Sequence, residues 1–425
     1  MLSIGLMSGT SMDGIDAVLL ETDGTEKLIN YLTEISIHYN SHSQILFKSA
    51  EFAVRQMRGD LNQTRAHFPL LFRDYVSQLF TLDATGTQNK LDELTVWLHG
   101  AGQTHRLITF DEIVQHSTLL HLHTIQSLLR KVDLSTHKID VIGYHGQTLL
   151  HAPHEKISVI VGDGQRLADE LGVVVVNDFR RADIEAGGQG APFAPLYHQA
   201  LAVNSKQSPL AVVNCGGIAN VTFVSDADPL NLIAFDTGPG NALIDRFVQK
   251  HTKGVERMDT NGSYAMSGKV IPNILKILYE KSISKNYFSQ LPPKSLDVND
   301  LVLIPELETI SIENACRTLA AFTADTIVKS ISCAKILPPS RWVLAGGGWH
   351  NEAIRFEFKK RLEEHLNVSP AIMSADEMGW KNQSLEAQIF AWLAVRSLKK
   401  LPLSVPNTTG VSHPMTGGKL NLPMK

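Results

Sequence analysis

Apolar and polar positions come in short blocks from the first residues onward. Ile4 to Leu6 is apolar, Ser8 to Gly14 is made of small and turn-forming residues, and Ile15 to Leu20 is apolar again, which predicts strand, tight turn, strand. The same order returns near the middle of the chain, where Leu210 to Asn214 is followed by Cys215-Gly216-Gly217 and then Ile218 to Val224. Two halves with one architecture are expected, although the two hairpins share little sequence.

A second pattern surrounds these hairpins: an apolar strand, a glycine-bearing loop, then a helical segment. It occurs at Ile139 to Gly143 before His145-Gly146-Gln147-Thr148, at Val173 to Asn177 before Asp178-Phe179-Arg180, at Leu232 to Phe235 before Asp236 to Gly240, and at Trp342 to Ala345 before Gly346-Gly347-Gly348. Strands alternating with helices predict an α/β fold. The clearest helical periods are Asn241 to His251, Ser311 to Ser332, Asn351 to His365 and Ser384 to Lys400. In the last, Leu385, Ile389, Trp392, Leu393 and Leu398 make an apolar stripe with Ser384 as the cap. Phe68 to Gln115 is hard to read and is taken as an insertion, and Leu401 to Lys425 as a C-terminal strap. A polar run at Asn204 to Ser208, closed by Pro209, marks a boundary.

At 425 residues the chain is long enough for two or three cores, and 43% hydrophobic against 19% charged residues is ordinary globular composition. A net charge of −4 without a long basic block argues against nucleic acid as a partner. Cys215, Cys316 and Cys333 are odd in number and lack CxxC spacing, so neither a disulfide framework nor a thiolate zinc site is expected, and a reducing cytoplasm fits. The N-terminus has no basic region before an apolar run, and no apolar stretch approaches the roughly 20 residues of a membrane span. Neither export nor membrane insertion is expected.

Four glycine- or hydroxyl-rich turns follow apolar strands: Gly9-Thr10-Ser11-Met12-Asp13-Gly14, Cys215-Gly216-Gly217, Asp236 to Asn241, and Gly346 to Gly348. Phosphate chains need backbone N–H groups at close range with no Cβ in the way, so the four together point to a nucleotide cradle. No GxxxxGK[ST], GxGxxG, HRD or DFG motif is present. Two hairpins, one from each half, gripping phosphates across a cleft is the arrangement left. Asp13, Asp16 and Asp236 flank these turns, and Asp13 is the expected Mg²⁺ ligand. Trp349 is an expected adenine neighbour.

A second constellation is Asn177-Asp178-Phe179-Arg180-Arg181-Ala182-Asp183 followed by Gly187-Gly188-Gln189-Gly190, two acids and two arginines after a strand end. Either Asp183 or Asp178 could act as a general base kept ionised by arginine; spacing does not choose between them. His145 and Gln147 offer neutral groups suited to sugar hydroxyls.

The combination GLMSGTSMDGID (Gly5 to Asp16), GYHGQT (Gly143 to Thr148), DFRRADIEAGGQGAP (Asp178 to Pro192), NCGGIANVT (Asn214 to Thr222), FDTGPGNALID (Phe235 to Asp245) and AGGGWHN (Ala345 to Asn351) resembles the anhydro-N-acetylmuramic acid kinases of the hexokinase–Hsp70–actin superfamily. The resemblance implies two actin/hexokinase-like (ribonuclease H-like) domains around an interdomain nucleotide cleft, residues 1–207 plus 383–425 forming one lobe and 208–382 the other. It implies a cytoplasmic enzyme that turns 1,6-anhydro-N-acetylmuramic acid, water and ATP with Mg²⁺ into N-acetylmuramic acid 6-phosphate and ADP. Asp183 is then the base that activates water against the anomeric carbon. Gly9, Thr10, Ser11, Met12, Asp13, Gly14, Ile15 and Asp16 match the ATP segment. Gly216, Gly217, Asp236, Gly238, Gly240, Asn241, Gly346, Gly347 and Gly348 match the remaining nucleotide contacts, while His145, Gln147, Arg180, Gly188, Gln189 and Gly190 lie beside the sugar. Relatives are commonly homodimers. Two departures are Phe68 to Gln115, read as an addition to the family pattern, and the lack of an acid at Thr318 to Phe322.

Overall fold

The computed structural model describes residues 1–9, 11–103, 106–152, 155–284 and 286–424. Strands β1 (Leu2–Ser8), β2 (Gly14–Thr22) and β3 (Ile29–His38) form an antiparallel meander. Strand β4 (Val141–Ala152) pairs parallel to β1, β5 (Ile157–Val161) folds back along β4, and β6 (Val175–Asn177) pairs parallel to β4. The plan then repeats. Strands β7 (Leu210–Cys215), β8 (Ile218–Val224) and β9 (Ile233–Pro239) are the meander, and β10 (Arg341–Ala345) and β11 (Ala371–Ser374) add in parallel beside β7. Strand β12 (Lys419–Asn421) returns to the first sheet, antiparallel to β6.

Both sheets share one spatial order, β3-β2-β1-β4-β6 in the first and β9-β8-β7-β10-β11 in the second, which is the ribonuclease H-like plan of an actin/hexokinase-like α/β fold. The inner strands are buried on both faces because helices cover the sheets; Val141 to Leu150 in β4 are buried without a break.

The chain divides into two compact units, Met1–Gly190 with Ser384–Leu403 and Met415–Lys425, and Ala191–Gln383 with Ser404–Pro414. The bounds differ from the expected 1–207 and 383–425. The helix Ala194–Asn204 joins the second unit through His198 Nδ1 on Thr222 Oγ1 at 3.1 Å and Gln199 Nε2 donating to Asp226 O at 2.9 Å. Residues 404–414 do so through Asn407 Nδ2, which donates to Leu230 O at 2.9 Å. The polar run at Asn204 to Ser208 is therefore a turn inside a unit.

The segment read as an insertion is helical: Leu61–Phe80, Ala84–His99 and the start of Phe110–Lys131. Asp60 and Asp83 cap the first two, Thr109 and Glu112 form a capping box for the third, and Phe68, Phe72 and Val76 bury one face at helical spacing. The expected strap contains a short helix, Pro406–Thr409, as well as β12. Ser384 does not cap the last long helix with its side chain; its Oγ accepts from Gln388 Nε2 at 3.2 Å. That helix, Leu385–Leu398, is buried nearly all round rather than along a stripe. Among the described residues no helix is long and apolar enough to cross a membrane.

Candidate active site

In the first unit the β1–β2 connection is closed by Met12 N donating to Gly9 O at 3.2 Å, with Met12 in the left-handed region at φ 54°. Met12 and Ile15 are core residues, and a Cβ on Gly14 would lie 2.5 Å from Ile37 O, so these three shape the turn by packing. Ser11 and Asp13 remain exposed, Ser11 Oγ donating to Asp13 Oδ1 at 2.9 Å. Asp16 accepts from Ser36 Oγ at 2.5 Å, and burial raises its carboxyl above the ordinary range. Thr10, expected in this segment, lies outside the described residues.

His145-Gly146-Gln147-Thr148 is not a loop after a strand. It is part of β4, where the pairing with β1 slips between Leu6–Tyr144 and Ser8–Gln147, so one extra residue bulges out. Gly146 takes φ 78° there, and a Cβ on it would lie 2.7 Å from Val161 O. Gln147 is fully buried; its Nε2 donates to Gly9 O at 2.9 Å and its Oε1 accepts from Tyr39 OH at 3.4 Å. It braces the β1–β2 turn, and this replaces the expected contact with a sugar hydroxyl. His145 is buried too. Its Nε2 accepts from Arg180 Nη2 at 3.1 Å and Nδ1 donates to Gly146 O at 2.9 Å, while burial first and then Arg180 push its pKa well below the ordinary value.

Arg180 Nη1 donates to Gly190 O at 2.7 Å, and Gly190 N donates to Asp183 Oδ1 at 2.6 Å. One peptide segment is thus gripped from both sides by the arginine and the acid. Gly188 N bonds the Asp183 carbonyl at 2.8 Å, and a Cβ on Gly190 (φ 67°) would sit 2.6 Å from Ile184 Cγ1, so the glycines are what let the loop fold back on the short helix Arg181–Glu185. Gln189 is half-buried between Gly188 and Gly190. Asp183 is 2% exposed, whereas Asp178 receives Arg181 Nε at 2.5 Å from an arginine that is 70% exposed. The structure separates the two acids: one in the loop's interior, the other in a surface pair.

Sequence reasoning missed Glu386, in the first turn of the helix Leu385–Leu398. Its side chain is exposed, and Arg180, Asp16 and Asp13 are the charges that act on its carboxyl. An acid in the opening turn of an otherwise apolar helix was a readable signal.

In the second unit Asp236, Thr237, Gly238 and Pro239 belong to β9 and are not a loop. Gly240 N and Asn241 N donate to Gly217 O and Gly216 O, both at 2.8 Å, so these N–H groups are used inside the turn instead of facing a phosphate. A Cβ on Gly240 would lie 2.1 Å from Gly216 O and one on Gly238 would lie 2.7 Å from Thr326 Oγ1. Gly346 and Gly348 would likewise drive a Cβ to 2.4 Å from Asn214 Oδ1 and from Cys215 Sγ. Gly347, in contrast, has no neighbour that a Cβ would meet, and Gly217 only Val298 and Ala242 side chains at 3.2 Å and beyond. A Cβ on Gly216 would meet only Ile218 O at 3.8 Å, so of the glycines in this set these three leave room for a ligand. Asp236 Oδ2 accepts from Leu296 N at 2.8 Å and its N donates to Lys294 O at 3.0 Å; burial pushes its carboxyl up to about 7. It anchors a loop. Trp349 is a core residue, not an adenine neighbour: it is 7% exposed, donates Nε1 to Val213 O at 3.0 Å and packs on Phe358.

Among the described residues no three of His, Cys, Asp and Glu stand close enough to form a metal cage. Mg²⁺ does not need one, since it keeps most of its waters and takes one or two carboxylates together with phosphate oxygens; the exposed Asp13 meets that requirement.

Two ribonuclease H-like units, one carrying an acid–arginine loop at the end of β6 and both carrying glycine turns at strand ends, define the actin/hexokinase-like class of α/β proteins. The family model described as anhydro-N-acetylmuramic acid kinase matches residues 89–422. An anhydro-N-acetylmuramic acid kinase of Methylobacterium nodulans is 38% identical over 421 residues, 98% of this chain and 99% of that one. Those of Azorhizobium caulinodans and Nitrobacter winogradskyi are 38% and 36% identical, each over 100% of both chains. The chain belongs to the anhydro-N-acetylmuramic acid kinase family. The relatives run at full length beside it, so residues 68–115 are not an addition to them.

Proposed function

We propose that the chain converts 1,6-anhydro-N-acetylmuramic acid, water and ATP into N-acetylmuramic acid 6-phosphate and ADP, in the cytoplasm and in the service of cell-wall recycling. Family membership over the whole chain supports the activity, and the observation that carries the mechanism is the buried Asp183 held by Gly190 N at 2.6 Å. Asp183 takes a proton from water as the water oxygen bonds the anomeric carbon; the bond from that carbon to O6 breaks, and O6 accepts the phosphoryl group. Bound ATP with Mg²⁺ supplies that group and neutralises charge as it moves. Asp13, with its exposed carboxylate, would hold the ion. Gly216, Gly217 and Gly347 offer the open backbone against which phosphate oxygens fit. Arg180, His145 and the Gly188-Gln189-Gly190 backbone shape the sugar side. Positioning and a single base are what such a reaction asks of a protein. A homodimer, expected from the family, is a separate proposal that light scattering tests.

The experiment is ADP release from Mg-ATP with the anhydro sugar, beside N-acetylmuramic acid, N-acetylglucosamine and glucose, in ¹⁸O-water. Turnover confined to the anhydro sugar, with ¹⁸O at the anomeric carbon of the product, is expected. Turnover with an ordinary hexosamine and no solvent oxygen at that carbon would make it a simple sugar kinase of the same fold. ATP hydrolysis indifferent to every sugar would remove the sugar site altogether.

A further inference from the structure

The bulge in β4 selects which side chain of that strand reaches the β1–β2 turn. Regular pairing onward from Leu6–Tyr144 would set Gly146 opposite Ser8; the slip sets Gln147 there, beside the residue that opens the turn. Ser8 Oγ donates to Gly146 O at 2.9 Å and holds the bulge in place. The Gln147 amide is then engaged on both sides: Nε2 donates to Gly9 O at 2.9 Å, with a longer bond to Thr148 O at 3.4 Å, and Oε1 accepts from Tyr39 OH at 3.4 Å. Tyr39 donates its backbone N–H to Asp13 O at 2.9 Å. Gly9 and Asp13, the two ends of the turn, are thus tied to one buried amide, the first directly and the second through Tyr39. Such a bracket is needed because Met12 sits between them at φ 54°, a conformation that a residue other than glycine keeps when its surroundings impose it. From within the turn, Met12 N on Gly9 O adds a bond of 3.2 Å.

We infer that Gln147 is a positioning residue for Asp13, acting through Tyr39 and the two ends of the β1–β2 turn, and that it governs affinity for the Mg²⁺–nucleotide and not for the sugar. This rests on Asp13 being the ion's ligand, as proposed above. A carboxylate binds an ion best when the backbone that carries it is already ordered, because ordering it at the moment of binding lowers the affinity. The Asp13 side chain accepts from Ser11 Oγ at 2.9 Å, a bond inside the turn that moves with it. The fixed points lie outside the turn. Gln147 belongs to β4 and is fully buried; Tyr39, 7% exposed, follows β3 and packs its ring on Phe47 at 4.8 Å. Asp13 itself is exposed, so the bracket leaves the carboxylate open to an ion while holding its backbone from behind. The sugar side is held by another set of bonds, from His145 to Arg180, Arg180 to Gly190 and Gly190 to Asp183. Loss of the Gln147 amide should therefore reach the nucleotide and spare the sugar.

Gln147→Met keeps the volume and removes the amide bonds, while Tyr39→Phe removes the hydroxyl and keeps the Tyr39 N–H on Asp13 O. Calorimetric binding of adenylyl imidodiphosphate, a non-hydrolysable ATP analogue, in the presence of Mg²⁺ should weaken roughly tenfold in Gln147→Met and about threefold in Tyr39→Phe, as loss of buried hydrogen bonds implies. With Mg²⁺ removed by a chelator, both variants should bind the analogue as the wild type does. Binding of the anhydro sugar should stay within about twofold, so KM rises for Mg-ATP alone. A packing role would weaken nucleotide and sugar together, or weaken the nucleotide equally without Mg²⁺, and either result overturns the inference. So does sugar affinity lost with nucleotide affinity kept, which would make Gln147 a sugar contact, and so does unchanged binding of both ligands. If Gln147→Met does not fold, Tyr39→Phe decides by the same measurements. Wild-type protein that binds the analogue but fails to turn over the anhydro sugar overturns the proposed function instead, and the Mg²⁺-dependent affinities of the variants still decide the bracket.

Discussion

The two sheets share one strand order and differ in what stands at their strand ends. In the first unit a half-buried arginine and a buried acid converge on the Gly190 peptide, and charged side chains dominate the site. In the second, glycines dominate, and most of them are glycine because a backbone or a helix passes within 3 Å of where Cβ would be. One plan thus supports two kinds of equipment, side-chain chemistry in one unit and close backbone packing with three open glycines in the other. Proton transfer needs a positioned titratable group, whereas phosphate binding needs accessible backbone, so the division follows from the two halves of the proposed reaction.

The largest effect should come from Asp183→Asn in the first unit. General-base catalysis contributes about 10²- to 10⁴-fold, so turnover should fall within that range while calorimetric binding of nucleotide is kept. Near-normal turnover would move the base elsewhere and end the division just described.

Next in size is Glu357→Ala in the second unit. Glu357 is 2% exposed and binds Arg317 Nε at 2.8 Å and Arg361 Nη1 at 2.6 Å, tying the helix Ile312–Ala334 to Glu352–Leu366. Removing it leaves two arginines without that partner, which should cost about 3–5 kcal/mol. Hydrogen exchange should report the loss in second-unit peptides; equal loss in both would show that the units do not unfold separately.

Acidification should sharpen the contrast. Burial holds His121 at about 4 in the first unit and His198 at about 4 in the second, and it also lowers His145 and His116. A histidine with a depressed folded pKa stabilises fully above the unfolded value near 6.5 and loses that contribution as pH falls towards 4, up to ~3 kcal/mol each. Buried acids work in the opposite direction, because the folded state holds their proton and gains as pH falls. The second unit has Asp236 raised to about 7 and Asp245 to about 6 to set against its histidine. The first has Asp16 and Glu386, also raised, against three histidines. Between pH 7 and pH 5, exchange corrected for its intrinsic rate should rise more in β4 and the helix Phe110–Lys131 than in β8 and β9. The reverse order would mean that the histidines are not kept neutral by burial.

The smallest effect is expected for Asp178→Ala. Its partner Arg181 is 70% exposed, so the pair should be worth no more than about 1 kcal/mol, and turnover should stay within about twofold of the wild type. A loss comparable with Asp183→Asn would reopen the choice between the two acids.

Much of this was legible beforehand. The hairpins at Ile4 to Leu20 and Leu210 to Val224, and the helices opening near Asn241, Ser311, Asn351 and Ser384, could be read because turn residues and apolar periods act over a few neighbours. The helices between Leu61 and His99 were missed although Asp60 and Asp83 are plain caps, because Pro69 and scattered threonines and histidines obscure the period. The site was legible as residue types and partly misjudged as roles. Gln147 and Trp349 look available for ligands in a list, and the fold turns both inward.

The amino-acid sequence by itself determined the alternation of strands and helices, the glycine turns and the acid–arginine loop, since these depend on local backbone preference and on motif identity. Only the tertiary structure decided that Asp183 is enclosed and Asp178 is not, and that the Gly240 and Asn241 amides are already bonded. Burial and charge coupling depend on which distant segments pack together, and no local pattern carries that information.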